Sequence, residues 1–209
     1  MKRFFVLFAM LMLVASMASA QLFEGENEIG MFMVENPTAE NAEGMSCYMG
    51  VPGSVFTYVV LTNPVNQTLG TPIENVGGFE FKIDWPAGIF VTPTIHPSAT
   101  NFQTAPDFYC GANAPVVGGQ VTLISMVIGM FNDNPLEFFI TPVSDSTTHS
   151  IPGGIAITDA DDNFEISEAY TTAGSVDGRD FSAPVFNMFH CDVVPNDDVS
   201  FGGVKALFQ

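Results

Sequence analysis

Residues 77–86 read GGFEFKIDWP. Phe79, Phe81, Ile83 and Trp85 recur at every second position, and Glu80, Lys82 and Asp84 fill the positions between. In an extended chain, successive side chains point to opposite faces, so this alternation predicts a strand with one dry and one wet side. Gly77-Gly78 and Pro86 punctuate it.

The same rhythm extends outward. SVFTYVVLTNP (54–64) is apolar enough at its centre to be buried on both faces, and GQVTLISMVIG (119–129) and LEFFITPV (136–143) read as two strands joined by MFNDNP. IPGGIAITDADDNFEI (151–166) reads as a hairpin, with Ile155 and Ile157 leading in and Phe164 and Ile166 leading out. PVFNMFHCDVV (184–194) sets Val185, Asn187 and Phe189 against Phe186, Met188 and His190. A first strand around EIGMFMV (28–34) and a last one in VSFGGVKALF (199–208) bring the total to about eight to ten, as in sandwiches and barrels. The stretch 35–46 is polar and acidic and is expected to be a mobile loop. Helical period, internal repeat and long linker are all missing. The fold class expected is all-β: one antiparallel β-sandwich of the jelly-roll type, over residues 21–209.

Residues 1–20, MKRFFVLFAMLMLVASMASA, have the anatomy of a signal peptide. Lys2 and Arg3 form the positive region, Phe4 to Val14 the apolar run, and Ala18-Ser19-Ala20 the cleavage site. The run is short for a membrane span, which needs about 20 apolar residues. Secretion to the medium or the cell surface is expected, without membrane insertion.

With the leader removed, three basic residues (Lys82, Arg179 and Lys205) face 23 acidic ones, a balance of −20. Such a surface repels phosphate backbones, which excludes nucleic acid as a partner, and it favours cations or basic protein surfaces. Three cysteines, Cys47, Cys110 and Cys191, imply one disulfide and one free thiol in an oxidising compartment. The expected pair is Cys47 with Cys191, because the first and last strands of a sandwich often lie close together. His190 and Cys191 are strand neighbours on opposite faces and so make no nucleophile–base pair.

Residues 157–166, ITDADDNFEI, place Asp159, Asp161, Asn163 and Glu165 at alternate positions. These oxygens are a candidate calcium set. Phe164 stands where a calcium loop needs Gly and Tyr170 where it needs Glu, so an acidic hairpin tip that caps its own turns is the favoured alternative. Asp177-Gly178, in a second acidic turn, is an ordinary turn dipeptide. Tyr109 and Tyr170 are candidate ligand-binding residues for a glycan, whereas Trp85 continues the dry face of its strand. His96, His149 and His190 lack ligand spacing, the common hydrolase and nucleotide-binding motifs are missing, and no cofactor other than calcium is suggested. Asn66-Gln67-Thr68 matches a glycosylation sequon.

VPGSVFTYVVLTNP (51–64), NVGGFEFKIDWPAGIF (75–90) and GGQVTLISMVIG (118–129) are similar to the strand pattern of cohesin-like sandwich domains. There, a Pro-Gly turn precedes an apolar strand, and Gly-Phe-x-Phe and Gly-x-Val-x-Leu strands follow. The pattern also resembles carbohydrate-binding modules, and SFGGVKALF resembles the end of a group of small secreted bacterial proteins. The resemblance implies a jelly-roll-like fold and a non-catalytic role. It does not imply dockerin binding, because the first strand and the tail depart from cohesins. Together these readings give the expectation of an extracellular interaction, adhesion or assembly module, with a carbohydrate-binding module as the alternative. The expected partner is an extracellular protein or glycan, and self-assembly through an exposed strand edge is a further route.

Overall fold

The computed structural model describes residues 25–38, 40–145, 147, 149–173 and 181–191. The expected leader, the 175–180 turn and the strand expected over 199–208 lie outside the described residues. In chain order the strands are β1 (Glu28–Phe32), β2 (Cys47–Tyr48), β3 (Ser54–Thr62), β4 (Val65–Asn66), β5 (Thr71–Pro72) and β6 (Asn75–Asp84). They continue as β7 (Phe90–Ile95), β8 (Thr100–Asn101), β9 (Asp107–Pro115), β10 (Gln120–Gly129) and β11 (Leu136–Thr141). The last are β12 (Ile155–Asp159), β13 (Ile166–Thr171) and β14 (Phe186–Met188). One helical turn, α1 (Ala42–Met45), falls inside the expected acidic loop, and Ala42 packs against Phe32 and Val60.

Hydrogen bonds run along the path β2-β14-β11-β6-β12-β13-β1-β3-β10-β7, with β9 and then β8 branching from β6. The path folds over on itself. One layer is β1-β3-β10-β7, the other is built on β6, and the parallel pairing of β1 with β13 joins them. Ile29, Met31, Val59, Leu61, Ile124 and Met126 face Phe79, Phe81, Ile83, Phe108 and Ile157 in a single core. The alternation in 79–83 therefore does point its apolar residues inward. Trp85 lies just past the end of β6 and packs partly buried at the rim of that core.

Strand β6 is the hub. One edge pairs with β9, and the other is shared by β12 along Val76–Glu80 and β11 along Lys82–Asp84. Its outer face is not uniformly wet. Lys82 forms an ion pair with Asp84, but Glu80 is buried because the segment leading into β12 closes over it through Ser150.

The disulfide joins Cys47 to Cys191, tying β2 to the chain just after its parallel partner β14. Cys110 is free and faces the core from β9, and burial pushes its thiol up to about 12. The terminal strands of the hydrogen-bonded network are poor templates for strand addition. β2 and β8 are two residues long, and β7 carries Pro93, which lacks an N–H. On the outer face of β3 and β7, Phe56 and Phe90 are exposed, and the exposed Phe131, just past β10, meets Phe90 edge-to-face.

Removing the disulfide with Cys47→Ser should lower stability by about 2–5 kcal/mol in denaturant titration. An unchanged midpoint would mean that β2 and β14 hold without it. Glu28, in the cross-strand row Glu28–Thr62–Gln120, has a buried Oε2 without a hydrogen-bond partner, and burial raises its carboxyl to about 7. Between the ordinary carboxylate range and that value, the folded chain keeps a proton that the unfolded chain has lost. Stability therefore falls as pH rises through the window and levels off above it. Glu28→Gln should melt higher than wild type at about pH 8, with the gain vanishing at about pH 4. The exposed substitution Glu137→Gln makes the same charge change and serves as the reference; an equal gain there would refute the assignment.

Candidate functional site

Across the outer face of β9, β6, β12 and β13 the register aligns two rows. Tyr109, Glu80, Ala156 and Glu168 form one; Gly111, Gly78, Thr158 and Ile166 form the other. The second row has a glycine floor. A Cβ on Gly78 would stand 2.7 Å from the carbonyl oxygen of Cys110 and 3.2 Å from Thr158 Oγ1, so no larger residue fits the approach of β9 to β6. Gly77 is the residue at which β6 slips register against β12, since Thr158 faces Gly78 while Asp159 faces Val76.

Aromatic rings wall this floor. Phe102 packs on Gly111, whose Cβ would lie 3.4 Å from the ring, and meets Tyr109 edge-on with centroids 6.5 Å apart. Asn101 fixes both by accepting the Tyr109 N–H at 2.9 Å and donating to the Asp107 carbonyl at 3.0 Å. On the other side Phe164 leans over Gly77, where a Cβ would come within 2.7 Å of the ring. These rings are open to solvent, at 68% for Phe102, 37% for Tyr109 and 57% for Phe164. The groove between them has a volume of about 240 Å³ and is also lined by Glu80, Ser150, Ala156 and Thr158.

Phe164 owes its position to the hairpin tip. Asn163 and Phe164 both have left-handed backbone conformations, with φ of 51° and 57°. For a bulky residue this is a strained state that surrounding bonds must impose. The Asp159 N–H donates to the Glu165 carbonyl and the Glu165 N–H to the Asp162 carbonyl, each at 3.0 Å.

The tip also accounts for the candidate calcium ligands. Asp159 is buried, accepting from Asn66 Nδ2 at 3.1 Å and from the Asp161 N–H at 3.0 Å. Asp161 accepts from Asn75 Nδ2 at 2.8 Å, and Glu165 accepts from Thr68 Oγ1 at 3.3 Å. The carboxylates of Asp159, Asp161 and Glu165 thus turn to three different donors from β4, β6 and the turn after β4. Among the described residues, no group of three or more His, Cys, Asp or Glu side chains is placed to hold a metal ion.

Asn66, the first residue of the sequon, is fully buried, and its Oδ1 accepts the N–H groups of Thr68 and Leu69. The two candidate tyrosines are not brought together. Tyr109 lines the groove, while Tyr170 lies on β13 and donates to Glu168 Oε2 at 3.5 Å.

Glu80 is the residue that sequence reasoning missed. It is 3% exposed and closes one end of the groove, with its carboxylate accepting the Ser150 N–H at 3.1 Å and the Ser150 hydroxyl at 2.6 Å. Phe102 was also missed, since it sits in a stretch without alternation. The readable signals were the glycine pair ahead of Phe79 and the glycine two residues after Tyr109.

No family model and no curated protein matches the chain. Among solved structures, a non-cellulosomal cohesin from Archaeoglobus fulgidus is similar at 12% identity and a TM-score of 0.36, over 68% of this chain and 83% of that one. A type II cohesin domain from the cellulosome of Acetivibrio cellulolyticus is similar at 11% identity and a TM-score of 0.38, over 59% of this chain and 85% of that one.

Proposed function

We propose that this chain is an exported, non-catalytic β-sandwich module that holds a partner protein in the groove between Phe102, Tyr109 and Phe164. Three solvent-open rings, standing over a floor where Gly78 leaves no room for a side chain, carry this reading. Covering such rings releases about 25 cal/mol per Å² of apolar surface, a gain the isolated chain leaves unused. Aromatic anchors at a sheet face are the usual centres of interaction energy. The Cys47–Cys191 disulfide supports an oxidising compartment, in keeping with the leader-like start of the sequence.

A second reading, a carbohydrate-binding module on an extracellular polysaccharide, is favoured by one feature. Tyr109 and Phe102 offer paired open rings on which a sugar face can stack.

The double variant Phe102→Ser/Tyr109→Ala separates the two. Phe102 is largely open and Tyr109 partly so, and neither belongs to the core, so the melting temperature should stay close to wild type. On an array of short synthetic peptides, wild-type binding should weaken about tenfold or more in the variant, the loss expected for central aromatic anchors. Peptide binding that survives both changes would remove the groove from the function. Retention on insoluble cellulose, chitin or xylan that disappears in the variant would establish the second reading instead.

A further inference from the structure

The groove has an end as well as walls, and that end is chemically unusual. Glu80 is a buried carboxylate whose hydrogen bonds come from Ser150, and among the described residues no cation pairs with it. Glu168, also buried, follows in the same row beyond Ala156. Lys82, two residues along β6, is engaged by Asp84. A buried carboxylate without a cation is costly, and open aromatic faces attract cations through their negative π surface.

We infer that the groove is a receptor for a basic side chain: a lysine or arginine of a partner polypeptide enters between Phe102, Tyr109 and Phe164 and sets its charged head against Glu80. This rests on the groove being the interaction site and adds the chemistry of the occupant. The alkyl stem of such a residue matches the apolar walls, and its head supplies the cation that Glu80 lacks. Ser150 holds the carboxylate in place before the ligand arrives, so little ordering is needed on binding. The source is a separate basic partner rather than a second copy, because the chain beyond its leader has three basic residues against 23 acidic ones. The same imbalance draws a basic partner in from a distance, most strongly at low salt.

The test is a titration of the isotope-labelled protein with Nα-acetyl-lysine amide and with its uncharged isostere, Nα-acetyl-norleucine amide, followed by amide NMR. The lysine derivative should shift the amides of Gly78, Gly111 and Ser150 saturably, and norleucine should not. Glu80→Gln keeps an acceptor for Ser150 and should weaken lysine binding about tenfold or more, the loss expected when one partner of a desolvated charge pair is removed. Phe164→Leu keeps an apolar wall without a π face and should also weaken it, and each variant's melting temperature reports its fold. If both derivatives shift the groove equally and Glu80→Gln changes nothing, the cation inference fails while the groove stands as a binding site. Shifts scattered over the acidic surface and indifferent to both variants would remove both. Silence at the groove amides with the lysine derivative would overturn the cation inference outright.

Discussion

The outer face of this protein depends on how closely the backbones of β6 and β9 approach at Gly78. A side chain there would collide with the Cys110 carbonyl, so the ladder between these strands closes only around glycine. That ladder fixes the positions of Phe79 and Phe81 in the core and of Tyr109 and Glu80 on the other face. One strand thus serves two surfaces through its alternation, and a shift of register by one residue would exchange them. Core and groove are mechanically one object.

The groove is assembled from segments far apart in sequence, each held by its own local device. Asn101 sets the hairpin that carries Phe102 and Tyr109, a left-handed pair at Asn163 and Phe164 aims the ring over Gly77, and Ser150 closes the carboxylate end. Two of these devices run against local preference: a phenylalanine at positive φ and a carboxylate taken out of water. Both are destabilising choices where they stand, and both face the same hollow. Strain and desolvation concentrated at one place are more informative than exposure alone, which the outer face of the other layer also shows at Phe56, Phe90 and Phe131.

Much of the scaffold was legible because alternation is local. Strands β3, β6, β10 and β11 follow from the spacing of their apolar residues, and the Cys47–Cys191 link follows from the proximity of chain ends. The β12–β13 hairpin does too, except that Phe164, expected to lead into the outgoing strand, sits in the tip and β13 begins at Ile166. Strand β7 was hidden by Pro93, which reads as a breaker although it only marks an edge, and β9 by Gly111 and its small neighbours. The hairpin 157–166 was legible as a tip rich in oxygens, but the direction of each oxygen was not. Its partners Asn66, Asn75 and Thr68 lie 86 to 97 residues away. Glu80 illustrates the same boundary. Alternation placed it outside, and only the return of residue 150, 70 positions later, buries it.

Asn66 carries a consequence for how the protein is made. Its side chain is enclosed and spans the gap to Asp159, so the folded sequon offers nothing to a glycosylating enzyme. A host that attaches glycans to emerging, still unfolded chains meets the same tripeptide in the open. A sugar fixed there first would occupy the space that Asp159 needs, and the hairpin tip could not seat. A production host without that machinery avoids the conflict.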